Sequence, residues 1–194
     1  MTDADILTLF KETRALLDGH FLLTSGLHSG QYFQCAKVLQ YPRFAEVLCG
    51  EIARHFRTIP IDNVIAPALG GIVVGQEVGR QLGVRTMFTE RSSGSMQLRR
   101  GFEIHKGEKV LVCEDVITTG GSVQEVIDIV NHAGAMVVGV GAVVNRSGER
   151  TVFKNLYAAI TMNVVTYRPE QCPLCQQGIP VEKPGSRSVP QPGR

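Results

Sequence analysis

Glu114 and Asp115 stand at the end of an apolar run, Val110 to Cys113, and are followed by Val116, Ile117 and a loop of hydroxyls and glycines, Thr118, Thr119, Gly120, Gly121 and Ser122. Beyond the loop, Val123, Val126, Ile127 and Val130 recur three and four apart, the spacing of one helix face. A helix start presents unpaired N–H groups and the positive end of the helix dipole, so an anion can rest there among hydroxyl donors. Glycines let the backbone approach that anion closely. Two carboxylates beside such a cradle repel a phosphate, but they can accept hydrogen bonds from the vicinal hydroxyls of a ribose. A phosphate cradle beside a diol acceptor describes a site for a ribose 5-phosphate. The loop is neither a Walker A loop, for no Gly-Lys-Ser/Thr follows at the required spacing, nor a dinucleotide G-x-G-x-x-G.

The strand that delivers these acids, Val110 to Cys113, is apolar throughout rather than alternating, as in a parallel sheet covered on both faces. Around it strands and helices alternate through residues 61–162. Asn63 to Ala66 reads as a strand, followed by a Pro-Ala-Leu-Gly-Gly loop whose Ala68, Leu69 and Gly70 form a second candidate anion loop. The next helix carries Gly71, Gly75, Gly79 and Gly83 four apart, a ridge suited to close packing on a sheet. Val84 to Thr89 and Met136 to Val144 read as further strands, and Leu156 to Met162 closes the sheet. Arg146, in Asn-Arg-Ser-Gly after residue 144, would share the carboxyl edge with the 114–122 segment, where its planar fork could meet a carboxylate. The pattern predicts an α/β fold, a Rossmann-like parallel sheet flanked by helices with right-handed crossovers and ligands at the carboxyl edge.

Ahead of the sheet, residues 4–17 show helical spacing through Leu16 and Leu17, and Pro42 opens a second helix carried to Phe56. Between them two β-like runs around a Ser/Gly turn suggest a small hood from about residue 1 to 40, with Tyr32 and Phe33 able to wall a planar ligand. Glu90 to Gly101 has two glycines, three arginines and no sustained period, and reads as a long mobile loop. Its Arg91, Arg99 and Arg100 could neutralise a departing diphosphate.

With 194 residues, 43% hydrophobic and 20% charged, the chain fits one domain, 1–183, with a C-terminal segment at 165–183 and a flexible tail at 184–194. A formal net charge of +2 argues against nucleic-acid or membrane partners. No apolar stretch approaches the ~20 residues of a membrane span and the N-terminus lacks a signal peptide's cations, so a cytoplasmic location is expected. Free thiols are the expectation for the five cysteines. Cys172-Pro-Leu-Cys175 is half a zinc site at most, since no second Cys pair or His pair lies downstream.

The string from Val110 to Ser122 resembles the thirteen-residue signature of the phosphoribosyltransferase family, whose members bind 5-phosphoribosyl 1-diphosphate. With the FLLTSGLHSGQYF hood, the PALGG loop, the arginine-bearing loop and the NRSG segment, nearly the whole chain resembles the orotate branch of that type I family. The resemblance implies that Glu114 to Ser122 hold the ribose and its 5-phosphate, with Ala68, Leu69 and Gly70 also at that substrate, and that Thr118 and Arg146 meet orotate. It implies Mg²⁺ held mainly by substrate, with no side-chain ligand assigned. It also implies a homodimer in which one subunit's loop reaches the other's site. Enterobacterial-type members carry lysines where this chain has Thr24 and Gly70, and lysines plus a histidine in the mobile loop. Arginines are the expected replacements as diphosphate clamps, with the acting one left open among Arg91, Arg99 and Arg100 and Lys106 as the alternative. Transfer to another base, or a regulator that binds 5-phosphoribosyl 1-diphosphate without turnover, are the alternatives.

Overall fold

The structure, a computed structural model, describes residues 1–23, 25–148 and 153–184. Helix α1 (Asp3–Glu12) starts on a capping box, in which Thr2 and Asp5 satisfy each other's backbone N–H groups. It stops at Glu12 and not beyond Leu17, because Leu16 and Leu17 open strand β1 (Leu16–Leu22). Paired leucines satisfy either period, and here strand pairing prevails. Strand β2 (His28–Phe33) returns antiparallel to β1, and helices α2 (Ala36–Leu39) and α3 (Pro42–Phe56) follow, the latter with proline in its first turn.

The main sheet is built from β3 (Asn63–Pro67), β4 (Arg85–Ser92), β5 (Ser95–Leu98), β6 (Lys109–Ile117), β7 (Met136–Asn145) and β8 (Leu156–Thr161), in the order β5-β4-β3-β6-β7-β8. All neighbours are parallel except β4 and β5. Helix α4 (Gly70–Leu82) links β3 to β4 and α5 (Gly121–His132) links β6 to β7. Val74 and Val78 of α4 join a core with α1 and α3 on one face; Val123, Val126 and Val130 of α5 join the core on the other. The continuous apolar run of β6 is buried between them. The glycine ridge of α4 lies against the sheet: a Cβ at Gly75 would come within 2.9 Å of the Ala66 Cβ, and one at Gly79 would overlap Thr86. Gly83 is instead the left-handed cap that ends α4.

Chain order and strand order part company between β3 and β6. From β3 the chain steps outward to β4, while β6 joins β3 on its opposite side. Loops leaving the carboxyl ends of β3 and β6 therefore diverge to opposite faces and leave a crevice between them, the usual ligand position in such sheets.

Two expectations need revision. The 90–101 segment is not a structureless loop: β4 runs on to Ser92, turns at Ser93 and Gly94 with positive φ (51° and 88°), and pairs back as β5. That two-residue turn matches the twist of a hairpin. The hood also extends beyond residues 1–40, because strand β9 (Thr166–Tyr167) pairs with β2 to make a three-stranded sheet β1-β2-β9. A 3₁₀ turn (Pro169–Gln171) and helix α6 (Pro173–Gln176) follow. Glu182 then bridges Phe21 on the free edge of β1. Residues 185–194, most of the predicted tail, lie outside the described residues, as does Thr24. Among the described residues no helix is long and apolar enough to cross a membrane.

Candidate active site

The register of the sheet decides which side chains meet at the crevice. Pairing of β3 with β6 sets the Ala68–Gly70 turn beside Glu114 and Asp115, and the turn is tied to β4 by the Ala68 N–H donating to the Thr89 carbonyl at 2.7 Å. On the other side Asn145 of β7 lies opposite Ile117, so the next residue, Arg146, donates its backbone N–H to the Ile117 carbonyl at 2.7 Å. The turn after β3, the acid pair and Arg146 thus come to one edge of the sheet.

Glu114 and Asp115 are part-exposed and lean over the first turn of α4. A Cβ on Gly70 would overlap the Asp115 carboxylate, and one on Gly71 would lie 3.3 Å from Glu114 Oε2. Glycines at the start of α4 therefore serve the acids as well as the sheet, and the positive end of the helix faces negative charge. Asp115 Oδ1 accepts the Val116 N–H at 2.8 Å, whereas Glu114 Oε2 is buried with no hydrogen-bond partner among the described residues. Burial, then the neighbouring Asp115, push the Glu114 carboxyl well above its ordinary range. Burial raises Asp115 too, against the hydrogen bond from Val116, which pulls it down. Glu114 is thus the member of the pair that holds a proton more readily, and Asp115 the better acceptor. An orphaned carboxylate oxygen beside a second acid is also the hard oxygen donor set that a Mg²⁺ ion accepts.

The loop from Thr118 to Ser122 curls around a small concavity of about 60 Å³ lined by Glu114 and by residues 116–123. Gly120 sits at the head of α5 with φ of +78°, and a Cβ there would meet the Phe153 ring at 2.5 Å, so only glycine fits the turn. Thr118 and Thr119 form the rim and also line a larger cavity of about 600 Å³. That cavity is bounded by Arg146 and Ser147, by Ser25 and Leu27 of the hood, and by the Asn163–Thr166 segment between β8 and β9. The two hollows are joined at the threonines: one fits an anion, the other a planar group with a cation at its wall.

Arg146 has its guanidinium 5.4 Å above the Phe33 ring, and its Nε is buried without a partner among the described residues. Burial lowers its pKa, an effect opposed by Tyr32 nearby. Phe33 does not wall the cavity. It is buried in the core, edge-on to Phe10 at 5.8 Å, and supports Arg146 from below. Tyr32 packs against Phe21 at 5.8 Å. The three loop arginines point to acids of their own: Arg91 donates to both Glu125 oxygens at 2.7 and 2.9 Å, and Arg99 and Arg100 flank Glu90. None of them lines either hollow. Sequence reasoning missed the Ser25, Leu27 and Asn163–Thr166 walls, which no motif marks and which only the pairing of β9 with the hood brings near the site.

Buried Cys35, Cys49 and Cys113 have thiols pushed up by desolvation, Cys49 to about 12, so these are inert packing groups. Cys172 and Cys175 have a different setting. They stand against His20 and His28, which lie upstream on β1 and β2 and not downstream of the cysteine pair.

Residues 36–174 match the family model described as a phosphoribosyl transferase domain. A protein of Chlorobaculum parvum named orotate phosphoribosyltransferase is 59% identical over 192 residues, covering 98% of this chain and all of the relative. One of the same name from Desulforamulus reducens is 54% identical over 190 residues, covering 97% of this chain and all of the relative. Among solved structures, orotate phosphoribosyltransferase from Aeropyrum pernix superposes with a TM-score of 0.68 at 24% identity, over 81% of this chain and 93% of that one. Adenine phosphoribosyltransferase from Rhodothermus marinus gives 0.65 at 20% identity, over 82% and 100%. These two superpositions speak for the fold and do not choose a base.

Proposed function

We infer that this chain, which belongs to the phosphoribosyltransferase family, is an orotate phosphoribosyltransferase: a pentosyltransferase that moves ribose 5-phosphate from 5-phosphoribosyl 1-diphosphate to orotate, giving orotidine 5'-monophosphate and diphosphate in pyrimidine synthesis. One observation carries the reading. At the switch point of the sheet an acid pair and an anion cradle share a rim, Thr118 and Thr119, with a cavity whose wall holds the under-bonded cation Arg146. The full-length relatives named for orotate support that base over adenine.

In this reading the 118–122 amides and hydroxyls hold the 5-phosphate, and Glu114 and Asp115 engage the ribose hydroxyls. As the bond at the anomeric carbon stretches, positive charge grows on the ribose, and the ionised Asp115 stabilises it. Arg146 holds the orotate carboxylate, and Thr118 its ring edge. Orotate is already an anion with a nucleophilic nitrogen, so alignment suffices and no strong general base is needed. Mg²⁺, held mainly by the substrate and reachable by Glu114 and Asp115, supplies charge neutralisation for the leaving diphosphate. Ala68 to Gly70 face the diphosphate side. Arg91, Arg99 and Arg100 are proposed to exchange Glu125 and Glu90 for diphosphate when the β4–β5 hairpin closes, and a closed hairpin excludes water. Residues 1–183 then act as one domain, working as a homodimer in the cytoplasm.

A base panel tests this. Purified protein with 5-phosphoribosyl 1-diphosphate and Mg²⁺ is expected to release diphosphate with orotate and not with adenine, hypoxanthine or uracil. Turnover of one of those bases alone would reassign the pocket, and binding without turnover on any base would make the chain a regulator.

A further inference from the structure

Away from the site just described, four metal-ligating side chains face one another: His20, His28, Cys172 and Cys175, with all donor atoms within 4.8 Å. His20 and His28 come from the two hood strands; Cys172 caps the start of α6 and Cys175 lies within it, in the C-terminal segment. His20 Nε2 lies 2.8 Å from His28 Nδ1, 3.5 Å from Cys172 Sγ and 3.7 Å from Cys175 Sγ, and His28 Nδ1 lies 3.3 Å from Cys175 Sγ. A tetrahedral zinc with ordinary bond lengths sets N···S edges at about 3.6 Å and an N···N edge at about 3.4 Å. The N···S distances straddle that value, and the N···N edge is shorter because the rings bond each other directly.

The surroundings are those of a ligand site and not of a chance cluster. His20 Nδ1 stands 2.7 Å from the Ile179 carbonyl, which has no proton to give, so Nδ1 is the donor and the lone pair on Nε2 faces the other three groups. An outer-shell carbonyl of this kind fixes the tautomer and orientation of a metal-bound histidine. His20 falls at the irregularity in register between Asp18 and Phe21, and such a bulge re-aims a side chain. His20, His28 and Cys172 are buried and Cys175 is exposed, which leaves a way in for the ion. Leu16 and Phe33 tie one end of the hood sheet to the main core, but among the described residues neither hydrophobic core includes Phe21 or any member of the cluster at the other end. The hood sheet therefore lacks a core cluster of its own around these residues, the situation in which small units depend on a disulfide or a metal.

We propose that His20, His28, Cys172 and Cys175 bind one structural Zn²⁺ that clamps the C-terminal segment onto the hood. Two nitrogens and two thiolates suit a borderline-soft ion and not Mg²⁺ or Ca²⁺. Four protein donors close the coordination shell, so the ion holds structure and does no chemistry. The clamp fastens both ends of what bounds the large cavity: Ser25 and Leu27 lie between His20 and His28, and Asn163–Thr166 leads into the cysteine segment.

The test is metal analysis of the untagged full-length protein, purified under reducing conditions, which needs no substrate. The expected result is about one zinc per chain, released together with two thiols that become titratable. Replacement by Co²⁺ should give the intense visible bands and thiolate charge-transfer absorption of a tetrahedral N₂S₂ site, and Cys175→Ser, an exposed position, should lose the ion. Stripping the metal should lower Tm, with recovery on adding zinc back. Zinc far below one per chain both as purified and after anaerobic incubation with the metal, a Co²⁺ spectrum without the thiolate band, full retention by Cys175→Ser, or a Cys172–Cys175 disulfide in freshly reduced and re-exposed protein that takes up no metal would each overturn the proposal.

Discussion

Replacing Glu114 by Gln should make the protein more stable and less active, and the stability gain should depend on pH in a definite direction. In the folded chain burial first, and Asp115 second, raise the Glu114 carboxyl well above the value of 4.5 it has when unfolded. A raised acid favours the folded state fully only below the unfolded pKa, where both states keep the proton. As pH climbs through the folded pKa, the folded protein must ionise a carboxyl in place, and stability is lost. Glutamine has the same shape and never ionises. It removes the charge while leaving a polar group that can donate to Asp115. One buried oxygen without a partner costs about 1–3 kcal/mol, and glutamine still buries an amide, so the gain at pH 8 should be about 1 kcal/mol, a Tm rise of roughly 2–4 °C for a chain of this size. Urea melts of both proteins at pH 4, 6 and 8, without substrate, read the difference. The gap should be near zero at pH 4 and widen toward pH 8. The same variant should lose about 10-fold or more in kcat/KM for 5-phosphoribosyl 1-diphosphate, since a charged contact to the diol contributes about 1.5–3 kcal/mol. A gap independent of pH, or a variant less stable at pH 8, would refute the account of the acid pair.

Two further outcomes follow from the geometry. Gly70→Ala places a Cβ against the Asp115 carboxylate, which can retreat only by giving up its bond from the Val116 N–H; turnover should fall at least about 10-fold, matching a loss of 1.5–3 kcal/mol, with little change in orotate KM, and unchanged kinetics would show that the turn is not held where described. Arg146→Ala should raise orotate KM by roughly 10- to 100-fold through loss of a charged hydrogen-bond pair while diphosphate affinity in the reverse reaction stays within about 3-fold, and it should lower the melting temperature by only a few degrees, since it costs the contact with the Phe33 ring, about 0.5–1 kcal/mol, but no hydrogen bond from Nε.

The carboxyl edge proposed to be catalytic was legible because its elements obey one local rule each. An unbroken apolar run suits a covered strand, as β6 is, proline opened α3 at Pro42, and the string of acids, hydroxyls and glycines marked the turn into α5. Leu16 and Leu17 were misassigned to a helix because their spacing fits both periods. The β4–β5 hairpin was hidden because Met96 and Leu98 are only half-buried, so alternation is faint over four residues, and because Ser93, unlike asparagine, does not advertise a positive φ. Phe33 was given to the ligand although nothing local distinguishes an aromatic that lines a cavity from one that supports a cation from below. Arg146 was found by its place after a strand. Its neighbours at 163–166, and the pairing of His20 and His28 with Cys172 and Cys175, depend on contacts across more than a hundred residues, to which no local period is sensitive.

The way the chain's last described stretch grips both edges of the first hairpin governs the order in which the molecule can be finished. Thr166 and Tyr167 take the β2 edge, and Glu182 exchanges backbone hydrogen bonds with His20 and Leu22 on the β1 edge. During synthesis the hairpin emerges well ahead of its partners, and neither of its flanks can be paired until some 130 further residues have followed. A nascent chain therefore displays two open β edges until that stretch has been made, and the walls of the large cavity cannot close before then.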